Sequence, residues 1–198
     1  DLCYVHNFHT PEEPVLLRFP AGIGRDFKRR LERMVASLHR HIPQLYRGEV
    51  YQKRVNALER RYRDAQNERA AAFADKARGA GLALVEVQSG PYIRPELYAL
   101  VNGEEVPLSD LGTLVEQGAL DANDVAQLHA NHATLSDELK ALVRANSRLE
   151  EAFRDELLEL AQSVIRPLIH DSIEMMKSRF PGETIHAYLQ RVEEELLD

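Results

Sequence analysis

VAQLHANHATLSDELKALVRANSRLEEAF, residues Val125 to Phe153, is the stretch that decides the fold. Its seam positions are Val125, Leu128, His132, Leu135, Leu139, Leu142, Asn146, Leu149 and Phe153, separated by alternating steps of three and four. Such steps hold one stripe of a helix against a neighbouring helix at a low crossing angle. A shorter run, Tyr51, Val55, Leu58, Tyr62 and Ala65, repeats the same steps. Two such helices in one chain are expected to zip into an antiparallel, coiled-coil-like hairpin arm, built to hold something at a distance.

Outward from that seam, the long helix is expected to start at Asp121, to kink at Pro167 and to break at Phe180-Pro181-Gly182. A last amphipathic helix, Thr184 to Leu197, turns Ile185, Tyr188, Leu189, Val192 and Leu196 inward. Upstream, Arg25 opens a helix with Phe27, Leu31, Met34, Val35, Leu38 and Ile42 on one face, which Pro43 is expected to end or kink. The next helix runs from about Gly48 to Ala77, stopped by Gly79 and Gly81.

Leu82 to Leu108 changes character. Leu82, Leu84, Val85 and Val87 read as a strand closed by Ser89, Gly90 and Pro91. Leu97 to Val101 and Glu104 to Leu108 flank Asn102-Gly103, a strong hairpin signal because both turn residues tolerate positive φ. Ser109 or Asp110 can cap a short helix that Gly118 ends. At the N-terminus, Leu2 to Phe8 and Val15 to Phe19 read as two short strands around a proline turn. A lone strand pair is marginal in water, so this one is expected to complete a sheet in a larger protein. The fold class is therefore mainly α (α+β): a strand pair over 1–24, then a helical region over 25–198 with a β-hairpin subdomain at 82–108.

With 198 residues, 44% of them hydrophobic, the chain can bury a substantial core. No apolar run approaches the roughly 20 residues of a membrane-spanning helix, and no membrane partner is expected. The single cysteine, Cys3, cannot form an internal disulfide, which fits a reducing, cytoplasmic setting. The net charge of −7 conceals an asymmetry. Residues 25–78 hold 15 Lys/Arg against 7 Asp/Glu, whereas 79–136 hold Arg94 against eight acids and 137–198 hold 8 against 14. Oppositely charged helices attract and favour their own pairing; a nucleic-acid stripe over 25–78 is the alternative.

Chemistry-bearing patterns are sparse. Gly22-Ile23-Gly24 lies between a strand and a helix but lacks the remaining residues of a phosphate loop. A turn is the simpler account, with Arg25, Lys28 and Arg29 as anion or nucleic-acid contacts beside a helix N-terminus. His129 and His132 stand three apart, a spacing that metal sites use, yet no Cys or second His pair lies near them in sequence. His132, like Asn146, reads instead as a seam residue that sets register. No metal site and no catalytic residue is expected. Tyr92, Ile93 and Tyr98 fall on the small sheet, either packing the base of the arm or forming an apolar patch for an extended or unfolded chain.

Leu2-Cys3-Tyr4-Val5-His6-Asn7-Phe8, Pro11, Pro14 and then Leu17-Arg18-Phe19-Pro20-Ala21-Gly22-Ile23-Gly24-Arg25-Asp26-Phe27 resemble one family. It is the Lon-like ATP-dependent proteases whose AAA+ module carries a helical insertion. Ile165-Arg166-Pro167-Leu168-Ile169 and Tyr188-Leu189-Gln190-Arg191-Val192-Glu193 are similar to the closing part of that insertion. Leu2 departs from the tryptophan expected there but keeps the strand position apolar. In that family the nucleotide loop precedes this segment, and the second nucleotide motif and the Ser-Lys protease domain follow it. The resemblance therefore implies no catalytic residue and no cofactor within this chain, with ATP and Mg bound elsewhere in the parent. It also implies a homo-oligomeric ring, the remaining AAA+ and protease domains as partners, and unfolded or damaged proteins as substrates. The expected function is substrate engagement or gating, with nucleic-acid binding through 25–78 and a purely structural oligomerisation arm as alternatives.

Overall fold

The computed structural model describes residues 1–197; among these, the side chains of Ser89 and Tyr92 lie outside the description. The chain is mainly helical and divides into two compact units. Unit 1 is built from residues 1–58 and 154–198, so both ends of the chain contribute to it. Unit 2 comprises residues 59–153.

Unit 1 begins with β1 (Leu2–Val5) and β2 (Val15–Arg18), paired antiparallel with Cys3 opposite Leu17 and Val5 opposite Val15. Asn7 organises the loop between them: its side-chain oxygen accepts from the backbone N–H of His9 and Thr10, and its amide donates to the Glu13 carbonyl. This is the local competition for backbone groups at which Asn excels. Helix α1 (Ile23–Arg47) follows, entered through Gly22 at φ 83°. A carboxylate just ahead of β1 caps it, since Asp1 Oδ2 accepts from the Gly24 N–H at 3.0 Å.

The core of unit 1 is aromatic. Phe27 lies 4.9 Å from Phe19 and 5.2 Å from Phe180, ring centre to ring centre, the second pair edge to face, the geometry aromatic quadrupoles favour. Around them close Leu17, Met34, Leu38, Ile165, Ile169, Ile173, Tyr188 and Leu189. Helix α5 (Glu183–Glu195) buries all four of Ile185, Tyr188, Leu189 and Val192, as its periodicity predicts, with Leu196 half-buried just beyond. Burial leaves the Tyr188 hydroxyl harder to ionise than usual. Glu193 is the buried charged residue of this core; His170 Nδ1 meets its carboxylate at 2.8 Å and ties α5 to the preceding helix.

Unit 2 takes its helices from α2 (Glu49–Gly79) and α4 (Ala122–Arg179), both of which also extend into unit 1. Within unit 2 they run antiparallel: Tyr62 meets Phe153 edge to face at 5.2 Å between ring centres, and further along α2 the Lys76 ammonium meets Glu138 at 2.6 Å. Every seam position from Val125 to Phe153 is buried or half-buried, and so are Tyr62 and Ala65 on the opposing run. Asn146 pays for its place there, because its side-chain oxygen is buried without a hydrogen-bond partner among the described residues. Between the helices the chain forms β3 (Leu82–Ser89), β4 (Tyr92–Val101) and β5 (Glu104–Val106) in the order β3-β4-β5. A turn of 3₁₀ helix at Leu108–Asp110 leads into the short α3 (Leu111–Glu116).

Neither internal proline ends its helix. Helix α1 continues through Pro43 to Arg47 and breaks at Gly48, whose backbone is extended at φ −63°, ψ 141°. Helix α4 continues past Pro167 to Arg179. A proline removes one helical N–H and crowds the carbonyl four residues back. In both places large apolar residues flank it and pack on the unit 1 core, Ile42, Leu45 and Tyr46 in one case and Ile165, Leu168 and Ile169 in the other. Their burial outweighs the local penalty. The N-terminal strands are also shorter than expected, ending at Val5 and Arg18.

Candidate polypeptide-contact face

The sheet of unit 2 owes its register to two tight turns. Asn102 and Gly103 both adopt positive φ, 53° and 86°, as a hairpin of type I′ requires. Gly90, at φ 63°, opens the other turn ahead of Pro91. Successive residues on a strand face opposite sides of the sheet. With Leu82 opposite Ala99 and Leu84 opposite Leu97, one face carries Leu82, Leu84, Leu97, Ala99, Val101 and Val106. That face closes the unit 2 core against Phe73, Ala77, Leu128, Leu135 and Leu139.

The other face carries Ala83, Val85, Val87, Tyr98 and Leu100, all half-buried, with none of the five in that core. Arg94 and Glu96 sit on the same face and pair with each other at 2.7 Å, so they cancel locally. Unit 2 thus has an apolar sheet face turned away from its own core. The region around it is acidic, since Arg94 is the lone Lys/Arg among residues 79–136.

Tyr92, Ile93 and Tyr98 do not share a side of this sheet. Alternation places Tyr98 on the outer face and Ile93 on the core-side face, opposite Gln88 and beyond the reach of the core, where it is 69% exposed. The side chain of Tyr92 lies outside the description. Ile93 therefore belongs to the tip of the hairpin rather than to a patch with Tyr98.

Beside the core-side face, α4 and β4 enclose a groove of about 620 Å³ lined by Leu97, Leu139, Val143, His132, Ser136 and Pro95 among others. Strand β5 pairs with Ala99–Val101 of β4 and leaves the rest of that edge open. An open edge invites another strand, but Pro95 faces it. Because β4 is paired with β3 at this position, the missing proline N–H lies on the open side. The edge is thereby blunted against strand addition, and contacts through side chains are favoured instead. His132 half-fills the seam and lies 3.4 Å from the Ser136 hydroxyl, while His129, one turn away, is exposed.

The cationic candidates lie in unit 1. Gly24 is a packing glycine: a Cβ there would stand 2.8 Å from Cys3 Sγ and 2.9 Å from Asp1 Cβ. The first turn of α1 already faces the Asp1 carboxylate. Arg29 is bound to Asp26 at 2.7 Å and Lys28 approaches Glu32 at 3.9 Å, whereas Arg25 is exposed and has no ion pair among the described residues. Hydrogen bonds from Arg29 and Arg30 hold the Asp26 carboxyl below its usual range.

Sequence reasoning missed a second cationic cluster. Arg30 and Arg33 on α1 line a cleft together with Arg179 from the end of α4. The i, i+3 spacing on α1 was visible, but nothing local tied it to Arg179.

Compared with known proteins, residues 1–34 match the family model described as Lon-like LonC helical domain. The match covers β1, β2 and the first part of α1, and residues 35–198 lie outside it. It supports a Lon-like helical domain over the same segment whose motifs resemble that family. No curated protein matches the chain. No helix among the described residues is long and apolar enough to cross a membrane.

Proposed function

We propose that this chain is the substrate-engaging or gating helical domain of an ATP-dependent, Lon-like serine protease that degrades unfolded or damaged proteins. The parent would be a cytoplasmic, homo-oligomeric ring in which ATP and Mg bind, and peptide bonds are cut, on segments outside this chain. The observation that carries the proposal is the apolar outer face of the unit 2 sheet. Ala83, Val85, Val87, Tyr98 and Leu100 form a hydrophobic surface that no residue of the unit 2 core covers. Unfolded chains expose apolar side chains that folded proteins bury, so such a face discriminates between them by the hydrophobic effect alone.

The match over residues 1–34 supplies the protease context. In the strand pair, Leu2 and Tyr4 are 65% and 71% exposed on the side away from Cys3 and Val5. A larger ATPase sheet or layer packing there would cover them.

Nucleic-acid binding through 25–78 is less favoured. Lys28, Arg29, Arg30, Lys53, Lys76 and Arg78 each pair with a carboxylate. Part of the positive stripe is therefore neutralised within the chain. Counterion release, the main source of such affinity, falls accordingly.

The test is retention of one labelled protein in native and in permanently denatured form by the 198-residue chain. Denatured protein is expected to bind and native protein not to. Replacing both Val87 and Tyr98 with Ser should abolish the difference. Equal binding of the two forms, or binding indifferent to the double substitution, would refute the proposal.

A further inference from the structure

In unit 1, a cleft of about 360 Å³ between α1 and α4 brings together Arg30, Arg33 and Arg179 over a surface of Met34, Met175 and Met176. This volume falls in the roughly 300–1,000 Å³ range of small-ligand sites. No carboxylate lines it. Arg30 gives its Nε–H to Asp26 at 2.9 Å, which leaves its terminal N–H groups for another acceptor. Arg33 and Arg179 are both exposed, and neither has a carboxylate within ion-pair distance among the described residues. Met34 and Met176 are buried, but Met175 stands 70% exposed beside the guanidinium groups.

We propose that this cleft binds a polypeptide segment in which an acidic side chain lies next to a large apolar one. Guanidinium forks match the two oxygens of a carboxylate and hold it by paired, charge-assisted hydrogen bonds. Methionine offers an unbranched, polarisable surface that adapts to apolar side chains of different shape. A nucleic acid needs cations spread along its phosphates. Here three guanidinium groups, those of Arg30, Arg33 and Arg179, converge on one cleft above an apolar floor.

The choice of a polypeptide rests on the proteolytic function proposed above, whereas the carboxylate chemistry does not. The cleft and the outer sheet face belong to different units, and their ligands differ in kind: an acidic apolar segment here, exposed hydrophobic chain there.

The experiment is fluorescence anisotropy of a short labelled peptide alternating Glu and Leu, titrated with the 198-residue chain. Arg33→Gln with Arg179→Gln should weaken binding by about ten-fold or more, as the loss of charge-assisted hydrogen bonds implies. A peptide with Gln in place of Glu should bind the unaltered protein as weakly. Lysine at both positions should restore binding only in part, since an ammonium cannot fork. Met175→Ser should weaken the Glu-Leu peptide and leave a Glu-Ser peptide unaffected. All three positions of change are exposed, and far-ultraviolet circular dichroism checks that the helices persist.

Peptide affinity unchanged in the arginine double variant would overturn the proposal. So would a mixed-sequence single-stranded oligonucleotide that binds more tightly than the peptide and depends on the same arginines. The Val87→Ser, Tyr98→Ser protein separates this result from the one above. If denatured protein fails to bind while the peptide still binds through the arginines, the cleft stands and the proteolytic function falls.

Discussion

The two units solve the same packing problem to different degrees of completion. Unit 1 gathers α1, α5 and the last part of α4 around Phe19, Phe27, Phe180 and Tyr188, and its strand pair contributes Leu17 at full burial. Unit 2 has two long helices and a sheet of three strands, and it covers that sheet on one face. A sheet is hydrophobic on the face it buries and normally polar on the other. Here the second face carries Val85, Val87, Tyr98 and Leu100 as well. Apolar residues there stabilise nothing in the core of their own unit, which is why the search for function leads to unit 2 for hydrophobic ligands. Unit 1 adds charge, with Arg30, Arg33 and Arg179 lining one cleft.

Core substitutions sharpen this contrast most. Phe27→Ala should cost about 3–5 kcal/mol, because the ring is 1% exposed and three other aromatics lean on it. Urea denaturation measures the loss, and hydrogen exchange should locate it first among amides of residues 1–58 and 154–198. Leu82→Ala, at a fully buried position of β3, should cost about 2–4 kcal/mol and raise exchange within 59–153 instead. Exchange rising equally in both regions for either variant would show that the two cores behave as one.

Gly24→Ala tests the junction of strand pair and helix. The added methyl would meet Cys3 Sγ and Asp1 Cβ inside contact distance, so a loss of about 1–3 kcal/mol is expected. An unchanged denaturation midpoint would mean that β1 moves away without cost. Asn146→Leu should act in the opposite direction. It removes a buried oxygen that lacks a partner, and a gain of about 1 kcal/mol is expected in the same urea experiment. Sedimentation should stay unchanged if the seam closes within one chain and should shift if Asn146 discourages pairing between chains.

The smallest effect is electrostatic. Asp26 titrates below its usual 3.8 because Arg29 and Arg30 hydrogen-bond to its ionised form. A carboxyl depressed in the folded state contributes stability that is fully present above the unfolded value and lost as pH falls through the folded one. The difference between the unaltered protein and Asp26→Asn should therefore be present at neutral pH and shrink at pH values below 3.8. Because the group is exposed, that difference is small, and 1 M salt should reduce it further.

Much of this molecule was readable as sequence. The alternating three- and four-residue steps from Val125 to Phe153 picked out residues that are all buried or half-buried in that part of α4. Asn102-Gly103 placed its turn, and the run Ile185, Tyr188, Leu189, Val192 placed the buried face of α5. These are local properties, since helical and strand periods repeat within a few residues and a positive-φ turn needs its own two residues alone. The candidate site was less legible. Sequence proximity grouped Ile93 with Tyr98, and strand alternation then set them on opposite faces.

What only the tertiary structure decided depends on residues distant in the chain. Pro43 and Pro167 stay within helices because apolar neighbours gain more by burial in unit 1 than the prolines cost, and that gain exists only once both chain ends meet. The same meeting brings Arg179 to Arg30 and Arg33. Local patterns record the period at which a chain turns its side chains. Which buried face meets which is fixed by packing between segments, and so is which cations end up sharing one cleft.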